Sequence, residues 1–163
     1  MQILVLNAGD QAFAIDAGMV VEVLPMVPVK PVPRLPDYVL GMLTYRGEMI
    51  PVVDLARRLA GGFAARRLST RMIVVQFDPT GIDGVRIPRR GVRMGLVGEN
   101  IVSTHSSADA ETLFPAMHLE DAPYLGKILR LEGRTVQMLV VGNILPAELS
   151  AGLFAASADG QTR

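Results

Sequence analysis

Between Pro25 and Asp37 five prolines fall in thirteen positions, PMVPVKPVPRLPD. Each one removes an amide donor and fixes φ, so neither a helix nor a central strand persists there. The chain must cross this stretch as an extended segment at an edge, which confines regular structure to short runs on either side. QILVLN (2 to 7) and QAFAID (11 to 16) flank Ala-Gly-Asp and predict a hairpin. AGMVVEVLPM is apolar around Glu22 and stops at Pro25, with a period that fits either a helical turn or a strand.

Beyond the prolines, residues 39 to 44 and 48 to 53 predict a second hairpin about Arg46-Gly47. Asp54 is placed to N-cap a short helix, LARRLAG, closed by Gly61-Gly62. RMIVVQF (71 to 77) is a continuous apolar run of strand length, and Gly and Pro at turn density make 78 to 91 a loop or enlarged hairpin connection. VRMGLVGENIVSTH (92 to 105) resumes β character, whereas 106 to 123 is polar and small and predicts irregular surface cover. KILRLEGRTVQMLVVGNIL reads as a final hairpin turning at Glu132-Gly133; PAELSAGLFAA then predicts a short helix before a frayed end.

Short strands with helices only as caps or crossovers argue for an all-β barrel or sandwich. A parallel α/β fold needs repeated helices of about ten residues or more between its strands, and no such runs occur. The β-rich residues form two blocks, roughly 1 to 60 and 70 to 145, in a length of 163 that suits one domain or two subdomains sharing a core.

Sixteen basic and sixteen acidic residues cancel, so no whole-protein field draws the chain to nucleic acid or membrane, and partners must be recognised locally. No cysteine is present, which excludes disulfides, thiol nucleophiles and cysteine metal sites. The apolar N-terminus ends after six residues, and no run of about eighteen apolar residues occurs, so a cytoplasmic protein without membrane insertion is expected. His105 and His118 stand in polar surroundings without a zinc pattern, and Ser106-Ser107 has no nucleophile-elbow context. The glycines form no phosphate cradle. Asp78, Asp83, Glu99, Asp109, Glu111, Glu120 and Asp121 are spread through expected loops as solvated charges. These readings leave no catalytic residue, metal or cofactor to expect. Arg66-Arg67 and Arg86 to Arg93 are basic spots without interleaved aromatics, which argues against nucleic acid.

GMLTYRGEMIPVVDL (41 to 55) resembles the central signature of the CheW adaptor family: Gly, an apolar pair, then x-Arg-Gly-x-x-x-Pro-apolar-apolar-Asp-Leu. The likeness extends back through FAIDAGMVVEVLP and the VPRLPDYVLG run, and forward through MGLVGENIV and YLGKILRLEGRTVQMLVVGNIL, so it covers nearly the whole chain. Thr44 replaces a frequent Asn, Gly98-Glu99 a Val-Asp, and the 78 to 91 connection is longer than is usual.

The resemblance implies two SH3-like, five-stranded β-barrel subdomains packed on a shared core with short helices, one covering roughly 15 to 65 and the other the remainder of 1 to 150, followed by a tail from 151 to 163. It implies a non-catalytic adaptor that joins chemoreceptor cytoplasmic tips to the regulatory domain of a CheA-type histidine kinase in a chemosensory array. The departures point to a specialised non-flagellar pathway such as surface sensing, pili or a second messenger. Val20, Glu22 and Arg46 match the family's coupling positions, and Val20, Val97 and Ile101 are candidates to line an apolar channel for a receptor helix, with core packing as the competing explanation. Gly47 permits the tight turn that presents Arg46 outward. Pro51 implies an edge or a bulge, and Asp54 a structural cap. A small β-barrel that binds a ligand or nucleic acid is the alternative from another class.

Overall fold

The computed structural model describes residues 1–78, 91–101, 104–115 and 119–159, with side chains as far as Phe154. Most of the expected 78–91 connection, His118 and the last four residues lie outside these.

The first half supplies β1 (Gln2–Ala8), β2 (Gln11–Asp16), β3 (Val20–Pro25), β4 (Val39–Tyr45), β5 (Glu48–Asp54) and α1 (Leu55–Ala60). The second half supplies β6 (Arg71–Phe77), β7 (Val92–Gly98), β8 (Thr104–Ser106), β9 (Glu111–Phe114), β10 (Leu125–Leu131), β11 (Arg134–Leu139) and α2 (Ala147–Asp159). One sheet has the order β3-β6-β7-β5-β4, the other β8-β1-β2-β11-β10-β9. This is a mostly β fold of two sheets with few short helices. The sheets are not blocks of sequence, because the N-terminal hairpin joins the C-terminal one through a parallel contact of β2 with β11, Phe13 opposite Gln137 and Ala14 opposite Met138.

The apolar runs follow from where each face goes. Ile3 and Val5 of β1 pack with Leu129, Leu131 and Val136 inside the second sheet's own core. Leu4, Leu6 and Ala8, on the opposite face, join a larger cluster with Val52, Met72, Ile73 and Leu96 of the first sheet. A strand buried on both faces reads as a continuous apolar run, and the same holds for β6, whose Val74 turns into a third cluster with Tyr45 and Ile50.

All three predicted hairpins form, and two of them turn with the same chemistry. Arg46 (φ 49°) and Gly47 (φ 79°) turn β4 into β5; Glu132 (φ 51°) and Gly133 (φ 77°) turn β10 into β11. Two successive left-handed residues match the twist of paired strands, which is why each connection needs only two residues. The ambiguous stretch after residue 16 contains both of its options in series: a 3-10 turn at Ala17–Met19, with the Asp16 carboxylate accepting from Gly18 N at 2.9 Å, and then β3.

Two expectations need correction. The 106–123 stretch is not irregular throughout, because β9 pairs with β10; its exposed residues ETLF are held by backbone pairing and leave little apolar alternation to read. Pro51 does not mark an edge strand, the first of its two expected settings, since β5 lies between β7 and β4; the β4–β5 ladder is irregular close by, between Val39 and Gly41. Both backbone groups of its partner Met42 bond Lys30, at 2.8 Å each, so the Pro51 nitrogen faces the other side, where pairing with β7 begins only at Val52. The expected terminal helix forms as α2 and runs on to Asp159, with Phe154 only 4% exposed and edge-on to Phe77 at 5.9 Å.

The proline-rich segment runs extended along β4 and bonds it at Lys30. That close approach requires Gly41, where a methyl group would fall on the Lys30 carbonyl oxygen. Gly41→Ala is therefore expected to lower the urea unfolding free energy by about 3 kcal/mol, the range typical of overpacking combined with backbone strain. A midpoint equal to wild type would show that the strap yields.

Candidate interaction site

β3 and β4 are the two ends of the first sheet and share no backbone ladder. Yet Val21 and Leu24 of β3 pack with Leu43 and Tyr45 of β4 around Ile50 and Val74, so the sheet curls until its edges face each other. The seam is closed by side chains. Tyr45, buried at the end of β4, donates its phenol proton to Glu22 Oε2. Arg46 Nη2 donates to the same oxygen at 3.2 Å, and its guanidinium lies over the Tyr45 ring, 5.1 Å from the centroid.

Burial pushes the Tyr45 phenol above its ordinary value of 10.0; the bond to Glu22 adds to the rise, and Arg46 and Arg93 oppose it. Arg93 continues the polar surface, reaching Glu48 at 3.7 Å and donating from Nε to Gln76 at 3.2 Å. The Arg46 side chain is 59% exposed and Glu22 40%, so this clasp is a surface feature built on a buried ring.

The expected positions distribute unequally. Glu22 and Arg46 are brought together, and Val20, half-buried, sits two residues before Glu22 on β3. Val97 does not line a surface: it is 1% exposed in the shared core, opposite Met72, the far end of β6 from Val20's partner Val75. Core packing is thus the explanation that fits Val97. Ile101 is partly buried against that core, away from the clasp. Asp54 is 3% exposed; its carboxylate accepts from Arg57 N and Ala64 N, as a cap does. Glu99, expected as a solvated charge, accepts from Ala65 N at 2.6 Å.

Sequence reasoning missed Tyr45 and Arg58. Tyr45 occupies a variable position of the signature, and nothing in its spacing tells that β3 will curl round to it. Arg58 of α1 lies between the rings of Tyr38 and Tyr124, at 4.9 and 4.4 Å, and donates from Nε to the Ile144 carbonyl at 2.8 Å, so it ties together segments from both halves. Among the described residues no group of three or more His, Asp or Glu side chains could hold a metal, and no helix is long and apolar enough to cross a membrane.

Two sheets on a common core, with a charged aromatic clasp at one seam, define a small β-barrel module. A model of the CheW-like domain matches residues 2–149, and the chain belongs to that family. It is 24% identical over 147 residues to the chemotaxis protein CheW of Rhizobium meliloti, covering 90% of this chain and 88% of that one. It is 34% identical over 111 residues to protein FrzA of Myxococcus xanthus, covering 68% of this chain and 62% of that one. The crystal structure of the scaffolding protein TtCheW from Thermoanaerobacter tengcongensis superposes with a TM-score of 0.67 at 21% identity, covering 88% and 86% of the two chains, and shares the fold of two SH3-like β subdomains. The chain is a CheW-type coupling protein of chemotaxis-type signalling.

Two outcomes follow from the clasp. Arg46→Asn should leave chemical stability unchanged or raise it by about 0.5 kcal/mol, because a non-Gly residue at positive φ costs about 1 kcal/mol and Asn tolerates that region best. A large loss in urea melts would mean that the guanidinium supports the fold. The raised Tyr45 phenol stabilises the folded chain below pH 10 and loses that contribution as pH rises through its folded value, so the alkaline fall in melting temperature should be shallower in Tyr45→Phe.

Proposed function

We propose that this chain is a non-catalytic adaptor that joins chemoreceptor cytoplasmic tips to the regulatory domain of a CheA-type histidine kinase, in an array beneath the inner membrane. The observation that carries this reading is the Arg46 turn. A cation stands on a two-residue connection at positive φ, exposed, stacked on Tyr45 and already anchored to Glu22. Ordering an arginine before contact lowers the entropy cost of using it in an interface, and exposed Arg next to a Tyr ring is the composition that interface centres favour.

Glu22 and Arg46 then serve as coupling residues, with half-buried Val20 as their apolar neighbour on β3 and partly buried Ile101 as a further apolar contact. Two barrels give one chain two outward faces, which suits a part that must hold two partners at once, each through a modest interface. The likeness to FrzA, a relative not named for chemotaxis, together with Thr44, Gly98-Glu99 and the long connection after β6, supports service in a specialised, non-flagellar pathway.

The test is calorimetric titration of the chain with a receptor cytoplasmic domain and with a CheA-type regulatory domain from the same genome. Both should bind in the micromolar range, and Arg46→Glu should weaken at least one by roughly tenfold while the circular dichroism spectrum is unchanged. If neither partner binds at tens of micromolar, the adaptor reading is wrong. Steeply salt-dependent retention on single-stranded DNA would favour the nucleic-acid alternative instead.

A further inference from the structure

The clasp contains an asymmetry. Glu22 meets Arg46 through one oxygen, Oε2, and that same oxygen accepts the Tyr45 phenol. Arg46 uses one nitrogen, Nη2, of a guanidinium that carries five N–H groups. An exposed Arg beside a carboxylate ordinarily favours a two-point, parallel pairing that occupies a whole edge of the guanidinium and both carboxylate oxygens. Here it does not form, although Glu22 is within reach and partly exposed.

Resting on the coupling role proposed for Arg46, we propose that Tyr45 is a positioning residue: it holds Glu22 back from two-point pairing, so that Arg46 keeps a free guanidinium edge for a carboxylate on the partner protein.

Three observations carry this. The phenol is supported from below, because the Tyr45 ring is buried among Ile50, Val74 and Leu43. The phenol spends its proton on Oε2, the same oxygen that Arg46 Nη2 bonds, and so ties that end of the carboxylate to the seam. The ring face also sets the guanidinium plane, since Arg46 lies over it, and among the described residues Arg46 has no acceptor besides Glu22. A planar group stacked on one face and bonded at one nitrogen offers its remaining N–H groups along an edge, the geometry that a carboxylate matches. Burial and the bond to Glu22 both hold the phenol protonated at neutral pH, so the donor is always present. Tyr45 fills the variable position of the x-Arg-Gly signature, so this device is a property of this chain's own sequence.

The sign of one double substitution separates positioning from mere support. In Tyr45→Phe the ring, the stacking and the packing stay while the proton donor goes; Glu22 is freed to pair fully with Arg46, and the affinity of the partner that depends on Arg46 should fall roughly fivefold. Adding Glu22→Gln to Tyr45→Phe removes the competing charge and should raise the affinity above that of Tyr45→Phe alone, recovering part of the loss. Loss of a supporting contact would instead make the double variant as weak as the single one, or weaker, and that result overturns the inference.

Titration calorimetry of wild type, Arg46→Ala, Tyr45→Phe, Glu22→Gln and the Tyr45→Phe/Glu22→Gln pair with the receptor and kinase domains reads this directly. If Arg46→Ala weakens neither partner, the coupling role of Arg46 fails and this inference with it. If Arg46→Ala weakens binding and Tyr45→Phe does not, the coupling role stands and the positioning role is overturned. A partner-free reading accompanies these: the alkaline absorbance transition assigned to Tyr45, by difference from Tyr45→Phe, should move down in Glu22→Gln. An unmoved transition means that no phenol–carboxylate bond exists in solution and also overturns the inference.

Discussion

The shared apolar core between the two sheets is the constraint on which the rest of the molecule depends. Twenty-four buried residues make up that cluster, against seven inside the second sheet and three inside the first, so neither curled sheet has enough interior of its own to stand alone. The N-terminal hairpin must therefore cross over to pair with the C-terminal one, and the five strands between residues 20 and 98 form the other half against it. Everything at the surface inherits its position from this arrangement, including the seam where β3 comes round to β4.

Since the core takes side chains from both faces of β1 and β6, the strands are legible as strands but not as partners. ILVL and MIVV announce burial on two sides without saying which sheet lies on which. The turns were the most readable parts: Arg46-Gly47 and Glu132-Gly133 each place a glycine where positive φ is needed, and Asp54 and Gly61 bracket α1 as caps should. β9 was lost because backbone pairing holds a mostly exposed tetrapeptide with no apolar rhythm to betray it. Pro51 misled for a physical reason. A proline excludes only the pairing its own nitrogen would make, and here that side of the strand is vacant until Val52.

The site was half legible. Glu22 and Arg46 stand out by their place in the signature, yet their contact depends on closure of the sheet, twenty-four residues apart in sequence. Tyr45 needs that closure before it has any role, and Val97 turns inward because its face of β7 packs on the core shared with the other sheet. Position along a strand says which residues alternate; only the neighbours decide which side is wet.

The five-stranded sheet closes its barrel with side chains, whereas Arg58 joins the two halves of the chain through two aromatic rings and a backbone carbonyl. Because the β3–β4 lip is held by a tyrosine, a glutamate and an arginine instead of a ladder of amides, its closure can be altered one side chain at a time, whereas the joint at α1 draws on both halves at once.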